Sequence, residues 1–125
     1  MSIPAKIKLS SLPTSKQIDG RISFSPEKTS LMFSYDGETF LVTLSENKFR
    51  VKKTGALSYD MIFEENAINP VTLKTSEGAL NEFYMTTHSL TVERKKDFLS
   101  VTAVYSFDCN LETQSVTLEC YFFES

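Results

Sequence analysis

Residues 48–63 read KFRVKKTGALSYDMIF, and their alternation decides the class of fold. Phe49, Val51, Lys53, Leu57, Tyr59, Met61 and Phe63 share one parity, and Lys53 is the one charge among them. Period-two patterning of this kind marks a β-strand with one buried face. The stretch reads as one long strand, broken by a bend at Thr54-Gly55 and resumed to Phe63. Gly55 has no Cβ, which suits a bend or bulge where a sheet must curl.

The same apolar face extends towards the N-terminus. Asp36-Gly37 between Thr29–Tyr35 and Glu38–Ser45 is a strong two-residue hairpin signal. It sets Phe33 opposite Phe40 and Leu31 opposite Val42, so turn chemistry and alternation agree on register. A turn at Glu46-Asn47 then pairs Leu44 with Phe49, Val42 with Val51 and Phe40 with Lys53. Upstream, Ile3–Leu12 and Ile18–Ser25 read as strands, separated by a loop at Pro13–Gln17. Pro26 ends the second, because proline cannot donate to a ladder.

Towards the C-terminus the turns are less well specified. Glu65-Asn66 turns the chain, and Asn69-Pro70 makes the next strand start irregularly. Glu77-Gly78-Ala79 is expected to set Leu73 opposite Phe83 and Val71 opposite Met85. The apolar parity then slips: Phe83 and Met85 are odd, Leu90 and Val92 even. One extra residue near Thr86-Thr87 accounts for this, so a bulge is expected there. A turn at Lys95-Lys96 pairs Val92 with Leu99, Leu90 with Val101 and His88 with Ala103. A last turn through Asn110–Thr113 sets Tyr105 opposite Leu118, Ala103 opposite Cys120 and Val101 opposite Phe122. About ten short strands in sequential hairpins would curl and close, which removes the edges. The expected fold is all-β, an antiparallel up-and-down barrel of about 8–10 strands in one domain, residues 1–125. A two-sheet sandwich would need a long crossover connection that the sequence lacks.

Composition fits this class. At 41% hydrophobic and 23% charged, the chain can bury a core without staples. Ten Phe and five Tyr lean towards β structure. A net charge of −3 argues against nucleic acid, which wants a basic face. No apolar run has signal-peptide or membrane-helix length, so a cytoplasmic protein without a membrane partner is expected. Cys109 and Cys120 are too few for a disulfide framework and read as free thiols.

In order and spacing, Lys53-x-Gly55, Met61-x-Phe63, Thr75-x-x-Gly78, Thr87-x-x-Leu90 and Tyr105 resemble small bacterial proteins of unknown function typified by YwiB. The resemblance runs from about Ile18 to the C-terminus. The family's basic residue before the glycine is commonly arginine; here it is Lys53, which lacks the guanidinium's fork of donors. What the resemblance implies is a calycin-like, lipocalin-type barrel in a bacterial cytoplasm, with no activity attached.

An eight-stranded barrel either fills its interior with side chains or holds one small ligand. The inward parity is mostly apolar, and its polar exceptions are Lys53, Tyr59, Thr75, His88, Tyr105 and Cys120. The expected registers put His88, Ala103 and Cys120 in a row, with Tyr105 one step along. Lys53, Tyr59, His88 and Tyr105 are therefore the candidate lumen residues, convergent polar groups in an apolar pocket. Each also has a plain reading. Lys53 can snorkel at the mouth, His88 and the tyrosines can be satisfied wall residues, and Cys120 an inert thiol.

Enzyme templates find no match. One His and two Cys do not make a zinc site, and four Gly hold no phosphate loop. Ser89 beside His88 points to the opposite face of a strand, so the two are no triad. Glu64, Glu65 and Glu93 read as solvated charge, and Lys95-Lys96 as a charged turn. A non-enzymatic barrel without cofactor or metal is expected, binding a small, partly apolar or anionic ligand. The alternative is a filled barrel serving as an interaction module, for instance a homodimer. Tyr121 and Phe123, outward beside Phe122, hint at an apolar outer patch for that role.

Overall fold

The computed structural model describes residues 2–12 and 17–122. Ten strands follow one another: β1 (Ser2–Leu9), β2 (Ile18–Phe24), β3 (Lys28–Tyr35), β4 (Glu38–Ser45), β5 (Lys48–Thr54), β6 (Leu57–Glu64), β7 (Ile68–Thr75), β8 (Leu80–Lys95), β9 (Phe98–Phe107) and β10 (Asn110–Phe122). Each pairs antiparallel with the next, and β1 pairs with β10 to close the barrel. The expected up-and-down barrel is therefore the fold. The loop expected at Pro13–Gln17 and the side chain of Phe123 fall almost wholly outside the described residues.

The N-terminal half follows the sequence reading closely. Phe33 lies opposite Phe40 and Leu31 opposite Val42, across a turn in which Asp36 and Gly37 both have positive φ. That backbone is the tight hairpin turn whose twist matches the strands it joins. Leu44 meets Phe49, Val42 meets Val51 and Phe40 meets Lys53.

The stretch 48–63 is itself a hairpin, which corrects the single bent strand. β5 and β6 pair with Lys53 opposite Tyr59, Val51 opposite Met61 and Phe49 opposite Phe63. The loop between them spans two residues, an even number, so parity runs through it unchanged and mimics a continuous strand. Gly55 works by close approach: a Cβ there would sit 2.7 Å from Cγ of Glu38.

Three registers in the C-terminal half differ from expectation, those of β7–β8 and β8–β9 by two residues and that of β9–β10 by four. Leu73 faces Asn81 and Val71 faces Phe83. Val92 faces Val101 and Leu90 faces Ala103, across a turn at Lys96-Asp97. Tyr105 faces Gln114, Ala103 faces Val116 and Val101 faces Leu118, with an irregularity between Asn110 and Gln114. A slip by an even number of residues keeps every side chain on its face, so alternation cannot detect it. Asn69-Pro70 lies within β7, not before it. The expected bulge is present, one residue on: the register shifts between Thr87 and Ser89, which leaves His88 as the extra residue.

The core is one cluster inside the barrel. Ile22, Leu31, Leu44, Phe49, Leu99 and Leu118 fill the end that carries the β4–β5 and β8–β9 turns. At the other end Phe33 and Phe40 stack at 4.8 Å against the β3–β4 wall. Losing one such buried ring costs about 3–5 kcal/mol. The opposite wall of that end is not filled in this way.

Candidate functional site in the barrel lumen

A cavity of about 270 Å³ opens at the end of the barrel that carries the β3–β4, β5–β6 and β7–β8 turns. Leu57, Tyr59, Met61 and Phe63 of β6, Val71 and Leu73 of β7, and Phe83 of β8 form one side. Tyr105 and Phe107 of β9, Val116 of β10, Leu9 and Ser11 complete it with Val51. Period-two alternation brings these residues to one surface; barrel closure brings β1 and β10 across to meet β6. Aromatic edges shape the wall. Tyr105 meets Phe63 at 5.2 Å and Phe107 at 5.4 Å, and Phe107 meets Phe83 at 4.9 Å, all three edge-on.

Two of the four expected residues, Tyr59 and Tyr105, line this cavity. Burial pushes both phenols above their ordinary pKa, and for Tyr59 the negative charge of Glu38 and the neighbouring Tyr105 push further. Both are therefore neutral hydroxyls, able to donate as well as accept. Neither hydroxyl bonds a protein group among the described residues.

Lys53 lies at the rim, beside the cavity and not in its lining. Its Nζ is 2.6 Å from Oε2 of Glu38, with side-chain exposures of 15% and 21%. The same ammonium stands 5.3 Å from the ring centroid of Tyr59. The geometry is that of a lysine partnered at the mouth, neither snorkelling freely nor lining the lumen. Glu38 is the residue that sequence reasoning missed. Its signal was there: it shares parity with Phe40 and Val42 across a well-specified hairpin, and so had to point inward at the mouth.

His88 is not in the lumen, which corrects the expected row with Ala103 and Cys120. As the bulged residue it turns outward, where it is exposed, and its Nε2 meets Oγ of Ser106 at 2.8 Å. A bulge places two successive residues on one face, so the residue that restores the parity is itself expelled. Cys120 is inward but fully buried, with its thiol pushed up to about 12 by burial. It is chemically silent.

Two further polar groups face inward. Oγ1 of Thr87, a fully buried residue, and Nδ2 of Asn69 have no hydrogen-bond partner among the described residues. Thr87 stands opposite Tyr105 and Asn69 opposite Met85, below the cavity's deep end. Among the described residues no group of three His, Cys, Asp or Glu is placed to hold a metal ion. Among the described residues no helix is long and apolar enough to cross a membrane.

No family model matches the sequence, and neither does any curated protein. Among solved structures, the crystal structure of the ywiB protein from Bacillus subtilis matches with a TM-score of 0.72. The alignment covers 98% of this chain and 89% of that one, at 16% identity. The fold is shared with YwiB. At this identity the likeness to YwiB concerns the fold and assigns no chemistry to the cavity.

Proposed function

We propose that this chain is a non-enzymatic, cytoplasmic barrel of the YwiB type that binds one small, neutral, largely apolar molecule in its lumen, in the manner of calycins. One observation carries the reading: the cavity of about 270 Å³ has an almost wholly apolar wall, interrupted by two neutral tyrosine hydroxyls and Ser11. An apolar cavity of about 150 Å³ takes benzene, so this one suits a bicyclic aromatic or a short branched chain. One hydroxyl or carbonyl on the ligand would meet Tyr59 or Tyr105.

The pairing of Lys53 with Glu38 favours a neutral ligand over an anion. The ammonium already has its counter-charge, so a carboxylate at the mouth gains little and must displace Glu38.

Titration of the purified, solvent-stripped protein with 2-naphthol tests this. Saturable 1:1 binding is expected, with Kd in the range of about 10–1000 µM for so small a ligand. The Val116→Phe variant, which projects a ring into the cavity, should bind at least tenfold more weakly while remaining folded. 2-Naphthoate should bind no tighter than 2-naphthol. Absence of binding at millimolar ligand, or equal binding by Val116→Phe, would refute the lumen reading.

A further inference from the structure

We infer that the open edge of β8, Leu90–Arg94, accepts an extended segment of another protein, one that carries a basic residue beside an apolar one. β8 is 16 residues long and β7 only 8, and β7 pairs with β8 through Leu80–Thr86 alone. Beyond the bulge, β8 therefore has β9 on one side and, among the described residues, no strand on the other.

The backbone shows which groups face the gap. Thr87 turns its N–H to the carbonyl of Ala67 and its carbonyl to the N–H of Asn66. Leu90 turns its N–H to the same side, where the carboxylate of Glu65 accepts it at 3.3 Å. Strand alternation then places the N–H and C=O of Val92 and Arg94 on that side too. This is a row of main-chain groups that an added strand can pair. The charged side chains of Glu93, Arg94 and Lys95 stand above and below the sheet, so they do not block the edge itself.

A notch of about 600 Å³ lies beside this edge. Leu44 and Leu90 contribute apolar surface, and Asn47, Glu64 and Glu65 the walls. Val92 also lines it and is 40% exposed, although it has the inward parity of the strand. A strand seated here would put one apolar side chain over Leu44 and Val92. The lining holds two carboxylates and no cation. Glu64 is tied loosely to Lys48 at 3.5 Å. Glu65 is the better partner: an incoming carbonyl replaces it on the Leu90 N–H and frees its carboxylate for a basic side chain. That exchange selects a basic segment over an acidic one.

The test is a backbone-amide NMR titration of the intact protein with the capped peptide Thr-Val-Lys-Val-Thr. Shift changes confined to Leu90–Arg94 and Glu64–Glu65 are expected, with at least fivefold weaker binding on raising salt from 50 to 500 mM. Val92→Pro removes one edge N–H without touching the β8–β9 ladder and should abolish binding. Glu65→Lys, at an exposed turn, should weaken it at least fivefold even if the proline variant folds poorly. Retained amide chemical-shift dispersion away from this edge reports that each variant keeps its barrel. No shifts at this edge with millimolar peptide, or equal binding of Thr-Val-Glu-Val-Thr, would overturn the proposal. So would concentration-dependent shifts of the same amides without peptide, since the occupant would then be a second copy of the chain.

Discussion

Lys53 and Glu38 meet diagonally across β4 and β5. Lys53 stands opposite Phe40, two residues along from Glu38, yet their side chains close to 2.6 Å at the rim of the lumen. The contact joins the two hairpins that flank the mouth, and it neutralises the one charge on the inner face of residues 48–63.

Breaking this pair from one side should be worse than removing it whole. Exposed pairs contribute about 0–1 kcal/mol, and one-sided loss in a buried pair costs about 3–5. Partial burial places Glu38→Gln and Lys53→Met between these, at about 2 kcal/mol each. The double variant should recover at least half of the summed loss in urea unfolding. Strict additivity would show that the two groups do not interact.

Gly55→Ala is expected to act through Glu38. Its Cβ would lie 2.7 Å from Cγ of Glu38, a clash that displaces the carboxylate from Lys53. A loss of about 1–3 kcal/mol follows from overpacking of this kind. In a Glu38→Ala background the same substitution should cost clearly less. An unchanged cost in that background would assign the effect to the loop backbone instead.

Thr87→Val should stabilise the protein. The hydroxyl is buried without a partner among the described residues, and an unsatisfied buried group costs about 1–3 kcal/mol. Valine keeps the branched shape and removes the oxygen. A gain of about 1 kcal/mol in chemical unfolding is expected. A loss would mean that the hydroxyl is bonded in solution, most simply by an internal water.

The two thiols should separate cleanly. Cys109 is exposed and Cys120 fully buried, so a disulfide-exchange reagent at pH 8 should modify one thiol per native chain and two after unfolding. The raised value of Cys120 also sets a direction for stability. Its folded pKa, about 12, lies above the ordinary thiol value. The unfolded chain therefore loses this proton first as pH rises. The contribution is complete below about pH 8.5 and is lost from there up to about pH 12, at no more than about 1.4 kcal/mol per pH unit. The raised phenols of Tyr59 and Tyr105 add the same sign above pH 10. Cys120→Ala should flatten the alkaline limb between pH 8.5 and 10. An unaltered limb would show that the thiol is not what steepens it.

Alternation and two-residue turns were enough to read the class of fold, the inward faces and the N-terminal registers from sequence. Phe33 against Phe40 and Val42 against Val51 follow from Asp36-Gly37 and Glu46-Asn47, because a tight turn fixes both register and parity. At Ser76–Ala79 the connection is longer, and at Lys96-Asp97 and Asp108-Cys109 the turn composition did not mark which two residues turn; alternation there fixes parity alone, and the registers slid by two, two and four residues. The bulge was visible as a parity slip, but not which residue it would expel, and this moved His88 from the lumen to the outer face.

The sequence by itself thus determined which side chains face inward, since that depends only on neighbours along the chain. Only the tertiary structure decided what they meet there. The Lys53–Glu38 pair, the cavity between β6 and β9 and the unpaired edge of β8 depend on strand lengths and on the closure of β1 against β10. Those are distances across the barrel, and a period-two pattern carries no information about them.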